Sequence, residues 1–114
     1  MSSDCIFCKI VKGEIDARVI HRDERVVAIE DRNPQAPHHL LVMPLEHFAD
    51  LGEFTQRASP QDVAKLFRVA AELGAKFGPG GFRTIVNTGS EGGQTVDHLH
   101  VHVLAGRRMT WPPG

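Results

Sequence analysis

Hydrophobic and polar positions change period several times along the chain, and each change predicts an element. Ile6, Phe7, Ile10 and Val11 recur at helical spacing between Asp4, a good N-cap, and Gly13, a good stop, so residues 5–12 read as a short helix. Residues 19–21 and 26–30 are β-rich runs joined by the charged turn Arg22-Asp23-Glu24-Arg25, which predicts a hairpin. Pro34 and Pro37 make residues 33–37 a loop, and residues 40–43 form a buried strand that Pro44 ends. Ser59-Pro60-Gln61-Asp62 is a helix start, with Ser at the N-cap, Pro at the first helical position and an acid at the third. Val63, Leu66, Phe67, Ala70, Leu73 and Phe77 then mark one face of a long amphipathic helix, which the run Gly78-Pro79-Gly80-Gly81 stops. Residues 82–87 and 97–104 are two further strands joined by a glycine-rich loop. Strands come in turn-linked groups and not in repeated βαβ units. The expected class is α+β, an antiparallel sheet of about five strands with one long and one short helix, in a single domain spanning residues 1–114.

The last strand carries the chemistry. His98, His100 and His102 occupy every second place, with Leu99, Val101 and Val103 between them. Alternate side chains of a strand face opposite ways, so one face presents three imidazoles and the other enters the core. Three readings compete: an ordinary polar face, a zinc site, or nucleophilic catalysis at phosphorus. The last needs an imidazole with one unprotonated nitrogen, held by a hydrogen bond at the other, and donors for phosphate oxygens. The preceding loop favours it. Asn87-Thr88-Gly89-Ser90-Glu91-Gly92-Gly93-Gln94-Thr95 combines three glycines with an amide and hydroxyls, and such backbone can approach an anion closely.

Composition narrows the picture further. A net charge of -1 gives no basis for general affinity toward nucleic acid or acidic membranes. There is no apolar run long enough to span a bilayer and no basic, apolar leader, so the expected setting is the cytoplasm. In that reducing compartment Cys5-x-x-Cys8 reads as a metal-ligand pair, a redox pair or two buried thiols before it reads as a disulfide. As zinc ligands the cysteines need two partners, and His47 and His98 are candidates.

His98-Leu99-His100-Val101-His102-Val103-Leu104 resembles the signature of the histidine triad family, in which histidines alternate with hydrophobic residues. The likeness extends from Asp4-Cys5-Ile6-Phe7-Cys8-Lys9-Ile10 through residues 31–39 to Trp111-Pro112-Pro113-Gly114, and that tail is most similar to the Hint branch, the purine nucleoside phosphoramidate hydrolases. The resemblance implies a homodimer joined through its sheets, with the tail, residues 105–114, near the partner's active site. It implies hydrolysis of the P–N bond of purine nucleoside 5′-phosphoramidates through a covalent nucleotidyl-histidine. By motif, His100 would be the nucleophile, His102 would contact the phosphate and assist proton transfer, and His39 would support the row. Gln94 and Thr95 would bind the phosphate with Asn87 close by, and Asp31 would hold the ribose hydroxyls. Phe7, Ile10, Ile29 and Leu41 would line the purine slot, and Trp111 would stand by the leaving amine. Arg32 departs from the pattern, since it occupies a usually apolar place beside the base.

Several bacterial members of that family hold a structural zinc, and the matching residues here are Cys5, Cys8, His47 and His98. His98 would then serve structure, leaving catalysis to His100 and His102. Two rivals remain at this point: a sister branch that cleaves dinucleoside polyphosphates or transfers nucleotidyl groups, and a zinc-stabilised module that binds purine nucleotides without turnover.

Overall fold

The computed structural model describes residues 4–114; Met1, Ser2 and Ser3, on which the expectation of no leader partly rests, lie outside them. The chain runs α1 (Ile6–Val11), β1 (Val19–Arg22), β2 (Val26–Glu30), β3 (His38–Pro44), α2 (Leu51–Arg57), α3 (Pro60–Phe77), β4 (Phe82–Ile85) and β5 (Val101–Ala105). The strands form one antiparallel sheet in the order β1-β2-β3-β5-β4. This is the expected fold class, with one helix more than expected.

β2 and β3 are buried along nearly their whole length because both faces of the sheet are covered there. Val26, Ala28, Leu40, Val42, Val101 and Val103 face α3, which contributes Leu66, Val69, Ala70 and Leu73, and Phe48 and Phe54 close the end of that core. Val27, Ile29, Leu41 and Met43 point the other way, against Phe7, Ile10 and the two cysteines of α1. α1 is only six residues long and covers part of its face. The remainder, over β5 and β4, is left open and positions the site.

α3 starts as the sequence dictates: Ser59 Oγ accepts from Asp62 N at 3.0 Å, and Pro60 opens the helix. Its buried stripe differs in detail, since Val69 and Gly74 are buried whereas Phe67 is exposed. α1 is capped one residue later than expected. The Cys5 thiol, not Asp4, accepts from Cys8 N at 3.3 Å. The unforeseen α2 rests on a reciprocal cap: Asp50 accepts from Glu53 N at 2.9 Å, and Glu53 accepts from Ala49 N at 3.0 Å.

The last strand is shorter than its alternation suggests. β3 pairs with β5 only as far as Val42 opposite Val101, and beyond that the chain leaves the ladder, with Leu99 N donating to Phe48 O at 2.7 Å. The chain bends at residues 96–98, yet the alternation of faces persists: Leu99 is in the core under α3, and the rings of His98 and His100 pack against Phe7 on the other side. Likewise β4 stops at Ile85, short of Asn87. Among the described residues no helix is long and apolar enough to cross a membrane.

Candidate active site and metal centre

The histidine row divides into two environments. His98 is fully buried, and its ring meets Cys5, Cys8 and His47. Cys5 Sγ and Cys8 Sγ lie 3.3 and 3.5 Å from His98 Nδ1, Cys8 Sγ lies 3.3 Å from His47 Nδ1, and the two Nδ1 atoms are 3.2 Å apart. Zinc–sulfur bonds near 2.3 Å and zinc–nitrogen bonds near 2.0–2.1 Å at tetrahedral angles put donor pairs about 3.3–3.8 Å apart. The observed spacings are close to the edges of that tetrahedron. His98 Nε2 lies 3.1 Å from Pro44 O, and as the donor there it leaves Nδ1 as a lone pair aimed at the thiols. Without a metal, burial pushes the His98 ring down to about 4, with the Pro44 carbonyl offsetting part of this. Burial, then the hydrogen bond and charge of Cys5, push the Cys8 thiol up to about 11. A divalent cation reverses that cost by drawing off the thiol protons. The four side chains fit zinc in donor type, number and spacing, and they tie α1 to the segment before β5.

His100 and His102 face the open part of the sheet. His100 Nδ1 donates to the main-chain carbonyl of His98 at 2.8 Å, which in the neutral ring leaves Nε2 as a lone pair. The opposite tautomer is fixed at His102 through a chain of bonds. Gln35 N donates to His39 Nδ1 at 3.0 Å, so the proton of neutral His39 sits on Nε2. That Nε2 lies 2.9 Å from His102 Nδ1 and donates to it, which puts the single proton of neutral His102 on its own Nε2. Burial favours the neutral form of both His102 and His39. Burial lowers His102 to about 4, reinforced by the charges of His100 and His39, and burial lowers His39 against the opposing pull of Asp31. The result is a neighbouring acceptor and donor on rings whose centroids are 5.0 Å apart.

Both rings line a cavity of about 380 Å³. Phe7, Ile10, Ile29 and Leu41 line it with apolar groups, and Asp31 and Thr95 contribute polar ones. Phe7 also packs edge-on against the His100 ring, with centroids 5.1 Å apart. Asp31 Oδ1 accepts from Asn33 N at 2.8 Å, while Oδ2 lies 3.4 Å from His39 Nε2. Arg32 also lines the cavity, and its guanidinium donates to Asp16 O at 2.7 Å. Ile6, Ala17, Arg18, Glu30 and Val96 line the same cavity without having been foreseen. Ala17 and Arg18 arrive through the loop before β1, and nothing local in the sequence marks them.

Three expected residues stand elsewhere. Gln94 does not line the cavity: its amide donates to Ala49 O at 2.8 Å and Val96 O at 3.0 Å and accepts from Gly89 N at 3.1 Å. It staples the glycine loop in place of reaching out of it. The loop's tightness also fixes Gly92, where an added Cβ would lie 2.2 Å from Thr88 O. Asn87 lines a second cavity, on the β4 side of His102, and Trp111 is 82% exposed and lines neither. Of the two histidines without an expected role, His38 stacks on Phe77 and His21 bonds Asp23 at 2.6 Å.

Known proteins resemble this chain over nearly its whole length. An uncharacterized HIT-like protein of Synechococcus elongatus is 44% identical over the full length of both chains. A 14 kDa zinc-binding protein of Zea mays is 41% identical over 98% of this chain and 89% of its own. The crystal structure of a HIT family hydrolase from Legionella pneumophila superposes with a TM-score of 0.87 at 41% identity, covering 97% of this chain and all of that one. The HIT domain family matches residues 12–109, and the chain belongs to it.

Proposed function

We propose that this chain is a hydrolase of purine nucleoside 5′-phosphoramidates, of the Hint branch, working as a cytoplasmic homodimer with one structural zinc on Cys5, Cys8, His47 and His98. The observation that carries the reading is the hydrogen-bond pattern that assigns opposed tautomers, a lone pair to His100 Nε2 and a proton to His102 Nε2, at the wall of one cavity. A module that only bound nucleotide would gain nothing from an oriented nucleophile. The apolar walls from Phe7, Ile10, Ile29 and Leu41 suit a flat base, and the Asp31 carboxylate suits two ribose hydroxyls.

His100 Nε2 attacks the phosphorus and forms an N–P bond while the P–N bond of the substrate breaks. His102 Nε2–H and the Thr95 hydroxyl donate to the phosphoryl oxygens as charge builds there. A neutral His102 that lost its one proton would be left as an imidazolate, so His102 stays a hydrogen-bond donor to the phosphoryl group, and water supplies the proton that completes the amine. In the second step the remaining hydroxyl oxygen of that water attacks phosphorus and frees His100. The net change consumes one water, with one hydrogen on the amine and its oxygen on the nucleoside monophosphate.

Zinc at the cysteine pair would be fully ligated by protein and would supply folding energy and thiolate charge balance. Its four ligands hold α1, and with it Phe7 and Ile10, against the sheet beside the cavity. The test is amine release from an adenosine 5′-phosphoramidate with a fluorescent tryptamine leaving group. Release by the native protein and none by His100→Ala is expected; equal release by both would refute the nucleophile.

A further inference from the structure

One row of paired residues crosses the sheet beneath the cavity. His102 lies opposite Leu41, Leu41 opposite Ile29, and Ile29 opposite Val19. Neighbouring strands are about 4.8 Å apart, so Ile29 stands about 10 Å from His102 along this row, and β1 about 14 Å. With phosphorus at His100 and His102 and the ribose at Asp31, the base lies over Leu41 and Ile29. Its outer edge then meets the segment that leads into β1. That end of the cavity has its own chemistry. Phe7, Ile10, Ile29 and Leu41 offer no side-chain hydrogen bond, whereas Arg18, Glu30 and Arg32 bring charge.

Two of those three are engaged with each other, since Arg18 Nε lies 3.4 Å from Glu30 Oε2. Arg32 is different. Among the described residues it forms no ion pair, and its guanidinium is anchored by one bond, from Nη2 to Asp16 O at 2.7 Å. Its backbone is fixed as well. Asp31 N donates to His39 O at 2.9 Å, and Asp31 Oδ1 accepts from Asn33 N at 2.8 Å, which closes a turn around Arg32. A guanidinium carries five N–H groups, so most of these donors are unused at the lip of an otherwise apolar slot.

Such a fork presents donors only. Guanine offers two adjacent acceptors on one edge, O6 and N7, and an arginine can bond both at once. Adenine offers N7 beside an amino group, and that donor would oppose the fork. We infer that Arg32 reads the base, and that this chain prefers guanosine substrates to adenosine ones. An apolar side chain at this place would accept either purine, and the guanidinium makes the slot selective. This inference rests on the P–N hydrolase reading and names which of its purine substrates the site favours.

Guanosine, inosine and adenosine 5′-phosphoramidates with the same tryptamine leaving group separate the contacts, because inosine keeps O6 and N7 but lacks the guanine amino group. The native protein is expected to hydrolyse the guanosine and inosine compounds with a kcat/KM at least about fivefold above that of the adenosine compound, the lower end for a two-bond arginine–guanine contact. Arg32→Leu, checked for native melting temperature, should bring the three values within about twofold of one another. Equal values in the native protein, an adenosine preference, an inosine value as low as the adenosine one, or a guanosine preference that survives Arg32→Leu would overturn the inference. Calorimetric binding of the three nucleoside monophosphates to His100→Ala separates the two proposals. If the native protein releases amine from none of the compounds, the P–N reading fails. The base reading then stands on tighter binding of the guanosine and inosine monophosphates that Arg32→Leu abolishes, and falls on equal binding of all three.

Discussion

The carbonyl of His98 accepts the Nδ1 proton of His100 at 2.8 Å, while the ring of the same His98 turns away into the cysteine pair. One residue therefore joins the metal centre to the nucleophile, through its ring on one side and its backbone on the other. Because Leu99 N is held by Phe48 O and His98 Nε2 bonds Pro44 O, the carbonyl stays in place only while that segment stays docked.

Chelation of zinc, or Cys5→Ser, is accordingly expected to lower the melting temperature and to cut kcat by about tenfold or more. That factor corresponds to one oriented hydrogen bond of about 1.5 kcal/mol. Elemental analysis should fall from one zinc per chain to none. Nitrogen-15 shifts of the His100 ring should show the Nδ1–H form giving way to a tautomer mixture. One zinc still bound to Cys5→Ser would refute the four-ligand centre.

His39 acts through His102. It passes no proton to substrate, yet it fixes the His102 tautomer from the Gln35 amide. His39→Ala should lower kcat by about 10–100-fold with KM within about threefold, the usual reach of a supporting residue. A rise in KM with unchanged kcat would place His39 in binding instead.

Acid should loosen the fold. His102 is lowered to about 4 by burial and by its neighbours, and His39 shifts the same way. Between about pH 6.5 and 4 the unfolded chain takes up protons that the native chain refuses, so stability is full above about pH 6.5 and declines as the pH falls toward 4. Thermal melts across this range should show the decline, and His102→Gln should lessen it, with His39, and His98 where zinc is removed by chelator, accounting for the remainder. A melting temperature constant from pH 7 to 4.5 would contradict neutral burial of the pair.

Gln94 holds the glycine loop through three main-chain bonds. Gln94→Ala strips partners from Ala49 O, Val96 O and Gly89 N and is expected to cost about 1–3 kcal/mol. Urea unfolding measures it. A variant of native stability but raised KM would return Gln94 to the substrate.

Most of this molecule could be read from short-range pattern. The start of α3, the hairpin of β1 and β2, and the facing of the three histidines follow from spacing, cap chemistry and alternation, which act within a few residues. α2 escaped because it is seven residues long with Gly52 inside it, although Asp50 and Glu53 form its cap. β5 came out shorter because a strand needs pairing as well as a pattern: β3 runs on to Pro44, but it pairs with β5 only as far as Val42. The wire from Gln35 to His39 to His102 was not legible, since it depends on where one main-chain amide lands. Nor was the anchor of Arg32 on the Asp16 carbonyl, which only the fold brings beside it. The cysteines and His47 could be named from type and spacing, but that Cys5 also caps α1 required the structure.

The central claim is a covalent bond between His100 and the nucleotide. Rapid quenching of the native protein with adenosine 5′-phosphoramidate, followed by mass spectrometry of its peptides, tests it most directly. The account predicts a transient gain of one adenosine monophosphoryl group on the peptide holding His100, absent from His100→Ala. Steady release of amine with no modified peptide at any quench time, or the group found on His102, would contradict it.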